Sequence, residues 1–296
     1  VQPIFDSTKM RRPIVVLGEF DGFHIGHRQL VHHASLLARR FRHPLVGVVL
    51  DDGTAGQLLN GIDERCWVLM ASGVSSALAV TVDAPGSGEA GSLAIAEIIE
   101  RLHPETIVMS CLPDDPASAR YPYLRDECER HNVGVIEVPR WSDPDGRLIS
   151  SARIRSALAV GDIARANDWL GRTFTLSGTV VYGSGLGRTI RFPTANLELP
   201  QNRLVPMNGV YAAIALMDDG EERRAAVNIG VRPTVEQDGK VLVEAHLLDF
   251  DGDIYGTRLH VGFRRWLRHE QRFASVDELI TQLGSDVQQA RMLLRN

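Results

Sequence analysis

Residues 178–196, GTVVYGSGLGRTIRFPTAN, constrain this chain more than any other stretch. Gly183, Gly185 and Gly187 alternate along it, Arg188 follows, and Thr194 and Asn196 close it. Glycines tolerate positive φ and let backbone amides approach an anion, so a loop of this composition can cradle phosphate. Thr194 and Asn196 offer a hydroxyl and an amide carbonyl, both hard oxygen ligands. A Mg²⁺ ion carried on nucleotide phosphates needs only one or two such protein ligands, because water and phosphate oxygens supply the rest. The same composition also suits a plain hairpin turn.

The segments beyond the loop narrow the choice. Gly209-Val210-Tyr211-Ala212, Asn228-Ile229-Gly230-Val231-Arg232-Pro233-Thr234, residues 243–250 (VEAHLLDF), Tyr255-Gly256, and Leu267-Arg268-His269-Glu270 through Phe273 come in that order. As an ordered set, they resemble the riboflavin kinase domain of bacterial FAD synthetases, bifunctional enzymes with a nucleotidyltransferase domain in front. One position departs from the family pattern. The residue before Phe-Pro-Thr-Ala-Asn is generally glycine there and is Arg191 here, a long cation that either contacts phosphate or crowds the loop.

A chain of 296 residues has room for two domains, each burying its own core. A formal net charge of −5 argues against a nucleic-acid or membrane-surface partner. Cys66, Cys111 and Cys128 have neither metal nor redox spacing, which suggests buried thiols in a reducing cytoplasm. No apolar run approaches a membrane span, and residues 1–13 lack the apolar core of a secretory signal.

In the front half, residues 13–17 read as a buried strand running into Gly18-Glu19-Phe20-Asp21-Gly22-Phe23-His24-Ile25-Gly26-His27. A helical stripe of Leu30, Val31, Ala34, Leu37 and Ala38 follows. Strand, tight loop and helix place His24 and His27 at a helix N-terminus, where free amides favour an anion and imidazoles can add hydrogen bonds. Gly26 keeps the floor between them clear. The string resembles the nucleotidyltransferase signature that opens FAD synthetases. His32, His33 and His43 read as surface residues.

Further strands are expected at residues 45–50, 77–82, 106–109 and 133–138. Helices are expected over the stripe from Leu93 to Leu102 and over residues 124–131, with a flexible loop at residues 84–91. Ile149-Ser150-Ser151-Ala152-Arg153-Ile154-Arg155 resembles the family's Ile-Ser-Ser-Thr-x-Ile-Arg, with alanine for threonine. Serine hydroxyls at a helix start can cap amides or bind phosphate, and Arg155 one turn on can hold a triphosphate; a plain cap with a surface arginine fits too. Residues 158–170 continue as helix with a break at Gly161-Asp162. Alternating strands and helices predict a doubly wound, Rossmann-like parallel sheet over residues 1–171. Two segments depart from the family where it shapes its flavin site. Residues 51–56 (DDGTAG) replace a Thr-Phe-Asp-Pro-His-Pro-like run, and residues 110–116 (SCLPDDP) replace an Asp-Phe-x-Phe-Gly-like motif.

From residue 172 to 296 short alternating strands predict a small antiparallel β-barrel with a C-terminal helix. Ser275 and Glu278 form its capping box, and Val276, Leu279, Ile280, Leu283 and Val287 its apolar stripe. Val243, Ala245 and Leu247 share one strand face, and Glu244 and His246 the other. A carboxylate in that pattern ordinarily faces water. The resemblance instead implies that Glu244 is the general base of a riboflavin kinase. It implies further that Thr194 and Asn196 hold Mg²⁺, that residues 183–188 wrap ATP, and that Arg268 and Glu270 belong to a segment closing over the flavin. In front, His24, His27, Ser151 and Arg155 would hold ATP while FMN is adenylylated to FAD. The substrates implied are riboflavin, FMN and ATP. With both front flavin segments replaced, three readings stand. The first is a two-step FAD synthetase with a divergent front site. The second is a kinase whose front domain serves another acceptor. The third is a kinase whose front domain only binds nucleotide or supports assembly.

Overall fold

The computed structural model describes residues 12–51, 57–81, 88–111, 122–183, 185–231 and 241–294. The replaced segments at 52–56 and 112–116, the start of the loop at 84–87 and the Arg232-Pro233-Thr234 motif lie outside the described residues. The chain forms two compact units that divide after Ser151.

The first unit alternates strictly: β1 (Ile14–Gly18), α1 (Ile25–Phe41), β2 (Leu45–Asp51), α2 (Ile62–Ala71), β3 (Ser76–Thr81), α3 (Gly88–Leu102), β4 (Thr106–Cys111), α4 (Pro122–Arg130) and β5 (Gly134–Pro139). Its strands are all parallel, in the order β3-β2-β1-β4-β5. Successive residues of β1 serve opposite faces. Val15 and Leu17 join Ile95, Ile98 and Ile99 of α3 with Leu124 and Cys128 of α4. Ile14 and Val16 join Leu30, Val31 and Ala34 of α1 and Leu69 of α2. A sheet covered on both sides explains why β1 and β2 are continuous apolar runs. Strand order reverses at β1, so the loop following β1 opens at the switch point where such sheets bind ligands.

Two elements differ from the sequence expectation. Helix α3 begins at Gly88, inside the segment expected to be a loop to residue 91. The stripe from Ile95 to Leu102 drives the helix, and burying it outweighs roughly 1 kcal/mol for each glycine carried. Helix α2 has no counterpart in the expectation, because its amphipathic stripe is broken by Arg65, which is buried beside Leu69. Cys128 is buried and Cys66 half-buried, both free thiols.

The second unit comprises α5 (Ser151–Ala159), α6 (Ile163–Leu170), β6 (Phe174–Val181), α7 (Leu186–Thr189), β7 (Ala195–Glu198), β8 (Gly209–Met217), β9 (Glu222–Val231), β10 (Val241–Leu247), β11 (Arg258–Arg268) and α8 (Val276–Leu293). The break between α5 and α6 falls at Gly161, with φ +76°, and Asp162 caps α6 by accepting from the Arg165 amide at 3.1 Å. Six antiparallel strands close a barrel in the order β10-β7-β6-β11-β8-β9, leaving no free edge. Its interior is filled by alternate residues such as Phe174, Val227, Val243, Ala245, Val261 and Phe263. Helix α6 packs on β6 and β11, and α8 on β8, β9 and β11.

The apolar stripe expected on α8 is only partly turned inward. Val276 and Ile280 are exposed, whereas Asp286 and Ala290 are buried. The cause is an ion pair. Two register shifts in β11, between Phe263 and Arg265 and between Trp266 and Arg268, re-aim the end of that strand. Arg268 then meets Asp286 through Nε at 2.8 Å and a terminal nitrogen at 2.7 Å, so α8 docks by charge as well as by apolar surface. Among the described residues no helix is long and apolar enough to cross a membrane.

Candidate active site

The outer face of the barrel carries a cavity of about 320 Å³. It lies over β7, β10 and β9 and is bounded by the β6–β7 loop, the segment after β11 and the first half of α8. Glu244 therefore does not face open solvent, as its strand pattern alone would suggest. Register pairs it with Asn196 on β7 and with Asn228 on β9. Thr194, Asn196, Asn228 and Glu244 all line the cavity, so the carboxylate shares one chamber with the hydroxyl–carboxamide pair.

The glycines of the loop have distinct jobs. A β-carbon on Gly183 would collide with the side chain of Asn196, and one on Gly187 with the carbonyl of Phe192. The first vacancy admits the Asn196 carboxamide; the second lets the Phe192 amide bond back to the Gly187 carbonyl at 2.8 Å. Gly185 takes φ +77° in the left-handed region. Arg188 reaches the hydroxyl of Tyr255 at 3.4 Å, and Tyr255 stacks on Tyr182 with ring centres 3.9 Å apart. His246 Nδ1 meets the Pro193 carbonyl at 2.8 Å, tying the far end of the loop to β10. Arg191 resolves the departure noted in the sequence. It sits at φ +63°, a conformation that glycine takes freely, and it is exposed, so its side chain does not crowd the loop.

Arg268 lines the cavity, but Asp286 takes the Nε edge of its guanidinium and the His269 carbonyl a third nitrogen at 2.9 Å. Glu270 lies with its carboxylate against Gly230, where any β-carbon would clash. Both residues line the chamber, as do Phe273, Leu279 and Leu283, and the Arg268 guanidinium lies 5.9 Å from the centre of the Phe273 ring.

In the first unit, His24 is the N-cap of α1, its Nδ1 accepting from the His27 amide at 3.3 Å. The two imidazoles stack with centres 3.7 Å apart and planes 15° apart. A β-carbon on Gly26 would meet the His24 ring at 3.1 Å, so this glycine makes room for the stack. Burial, with Arg140 acting in the same direction, pushes His24 down to about 4. His27 lies well below its ordinary value because of burial first, then His24, Arg65 and Arg140. Both rings are thus neutral near pH 7, hydrogen-bonding groups and not fixed charges. His27 Nδ1 is buried with no hydrogen-bond partner among the described residues.

Residues distant in sequence hold this loop in place, and the sequence reading did not find them. Asp21, 1 % exposed, accepts from the amides of Asn60 at 2.8 Å and Leu59 at 3.2 Å and pairs with Arg65 at 3.3 Å. Arg65 also donates to the carbonyls of Asn60 at 3.0 Å and Glu19 at 3.1 Å. Phe20 and Phe23 take φ +53° and +43°, left-handed conformations that cost about 1–2 kcal/mol each and persist only where surroundings over-determine them. The Ser151 hydroxyl donates to the Asp21 carbonyl at 2.8 Å, which ties the start of α5 to the loop. Arg155 lies one turn further along α5.

Comparison with known proteins agrees with both halves. The FAD synthetase family pattern matches residues 6–153, and the riboflavin kinase pattern residues 170–294. The bifunctional riboflavin kinase/FMN adenylyltransferase of Escherichia coli K12 is 32% identical over 291 residues, covering 94% of this chain and 91% of that protein. The protein of the same description from Pseudomonas fluorescens is 45% identical over 159 residues, 54% of this chain and 50% of that one. A solved structure described as a macrolide-efflux protein from Streptococcus pneumoniae matches with a TM-score of 0.81 and 28% identity over 98% of each chain. With both patterns present in order and a relative of this likeness aligned almost end to end, the chain belongs to the bifunctional riboflavin kinase/FMN adenylyltransferase family.

Proposed function

We propose that this chain makes FAD in two steps, residues 172–296 phosphorylating riboflavin to FMN and residues 1–171 joining FMN to the AMP moiety of ATP. The observation that carries the first step is the register pair Glu244–Asn196 within one chamber. Glu244 takes the proton of the ribityl 5′-hydroxyl as its oxygen bonds to the γ-phosphorus of ATP and the bond to the β–γ bridging oxygen breaks, releasing ADP. Thr194 and Asn196 fit Mg²⁺ by their hard oxygen donors, and Gly183 leaves room for the carboxamide. When bound, that ion neutralises charge on the phosphates. Gly183, Gly185, Gly187 and Arg188 wrap the nucleotide. Glu270 and Arg268 border the flavin, with Arg268 holding α8 in place through Asp286.

In the front reaction an FMN phosphate oxygen attacks the α-phosphorus of ATP and pyrophosphate leaves. His24, His27, Gly26 and the N-terminus of α1 hold the triphosphate, the unpaired His27 nitrogen supplying a donor. Ser151 braces the loop, and Arg155 is the further cation that the family pattern implies. A reducing cytoplasm suits the free thiols of Cys66 and Cys128.

The test is direct. Incubated with riboflavin, ATP and Mg²⁺, the protein should yield FMN and then FAD on chromatography. No FMN overturns the first step, and FMN that never becomes FAD overturns the second.

A further inference from the structure

Four adjacent strands carry one transverse row of side chains. Asn196 on β7 pairs with Glu244 on β10, Glu244 with Asn228 on β9, and Asn228 with Val210 on β8. All four line the cavity. Strands lie about 4.8 Å apart, so the row is roughly 14 Å long and has two unlike ends. At Asn196 it meets the glycine loop and Thr194, the phosphate end. Val210 pairs in turn with Arg268 of β11, whose guanidinium lies 5.9 Å from the centre of the Phe273 ring. Helix α8, which brings Leu279 and Leu283 to the cavity, packs on β8 and β9; this is the apolar end. Asn228 therefore stands one strand from Glu244 on the side away from the phosphates. Its carboxamide makes no hydrogen bond among the described residues.

We propose that Asn228 is a specificity-determining residue of the kinase site, its carboxamide hydrogen-bonding the ribityl hydroxyls next to the one that is phosphorylated. The inference rests on the riboflavin kinase reading above. With the reacting hydroxyl at Glu244 and an apolar ring system at the far end, the intervening polyol arm lies over Asn228. A carboxamide both donates and accepts, as a hydroxyl does, so one residue can satisfy vicinal hydroxyls as they leave water. The neighbouring types would serve worse here. A carboxylate would repel Glu244, a cation would pair with it and blunt its basicity, and an aliphatic group would leave hydroxyls unsatisfied.

The experiment compares two acceptors: riboflavin, and an isoalloxazine carrying a 5-hydroxypentyl arm with only the terminal hydroxyl. The wild-type protein should prefer riboflavin in kcat/KM by tenfold or more. In Asn228→Ala that preference should shrink by roughly tenfold, through loss of turnover on riboflavin and little change on the analogue, as two lost hydrogen bonds predict. Asn228→Ser, which keeps a donor and an acceptor on a shorter arm, should fall between. General damage to the barrel would slow both acceptors alike and leave the ratio standing. A wild-type protein indifferent to the two acceptors, or an Asn228→Ala protein keeping the full ratio, overturns the assignment. Failure of the wild type to phosphorylate riboflavin at all would instead overturn the underlying reading of the site.

Discussion

The two sites are held in place by opposite means. In the barrel, Glu244 and its flanking carboxamides, Asn196 and Asn228, sit on paired strands, so backbone hydrogen bonds fix their spacing. In the front unit, His24 and His27 depend on a loop with left-handed Phe20 and Phe23, held down by a buried ion pair whose members are 44 positions apart, Asp21 and Arg65. A site on strands takes its geometry from the fold itself. A site on a strained loop borrows its geometry from side chains elsewhere, and those can be removed one at a time.

The largest expected effect tests the barrel half of this contrast. Glu244→Gln should keep its register and its nucleotide binding while FMN formation drops by about 10²- to 10⁴-fold, as for loss of a general base. Conversion of supplied FMN to FAD should continue unchanged. Near-normal riboflavin phosphorylation would remove Glu244 from the role.

Next comes the brace of the front loop. Breaking a buried ion pair by deleting one partner costs about 3–5 kcal/mol, so Arg65→Met should lower the unfolding midpoint of the front unit and abolish FAD formation. Riboflavin phosphorylation should persist, visible as FMN accumulation, and calorimetry should show one transition moved and one kept. Asp21→Asn combined with Arg65→Met should recover part of the loss. Equal shifts of both transitions would break the contrast.

The histidine pair gives a third, pH-dependent handle. His24 titrates near 4 in the folded unit against 6.5 when unperturbed, so between those values the unfolded chain binds the extra proton. Stability of the front unit should be at its full value above pH 6.5 and decline as the pH falls towards 4. His24 alone contributes roughly 3 kcal/mol to that decline, by the free energy of a pKa unit. Denaturant titrations of His24→Gln should show a shallower decline over the same window.

The smallest effect is a gain. Arg191→Gly relieves a left-handed arginine and should stabilise the barrel unit by about 1 kcal/mol, a rise of a few degrees in Tm, with FMN formation retained. The analogous relief at Phe20 is not expected to help, because that ring is fully buried in the sheet core.

How far each site could be read from the sequence depends on the same contrast. The barrel site was largely legible, since its loop, Thr194, Asn196 and Glu244 fall in a short ordered span and period-two patterning puts Glu244 opposite the core face. What patterning could not supply was the strand register, and with it the place of Asn228 beside Glu244. In the front half the loop and helix start were legible, but Arg65 was not. An arginine turned inward spoils the very amphipathic signal that would have announced its helix, and nothing local links it to Asp21. The α8 stripe misled for a related reason: Asp286 is buried because Arg268 meets it, and a lone sequence shows only an acidic residue in a helix.

The row across β7, β10, β9 and β8 also limits how this protein can drift in length. Inserting one residue within β10 ahead of Glu244 would turn that carboxylate into the apolar interior and push an aliphatic neighbour out into the cavity. Closure of the barrel leaves no edge at which such a slip could be absorbed. Homologous chains should therefore gain and lose residues in the connections between strands, and hold the strands themselves to a constant count.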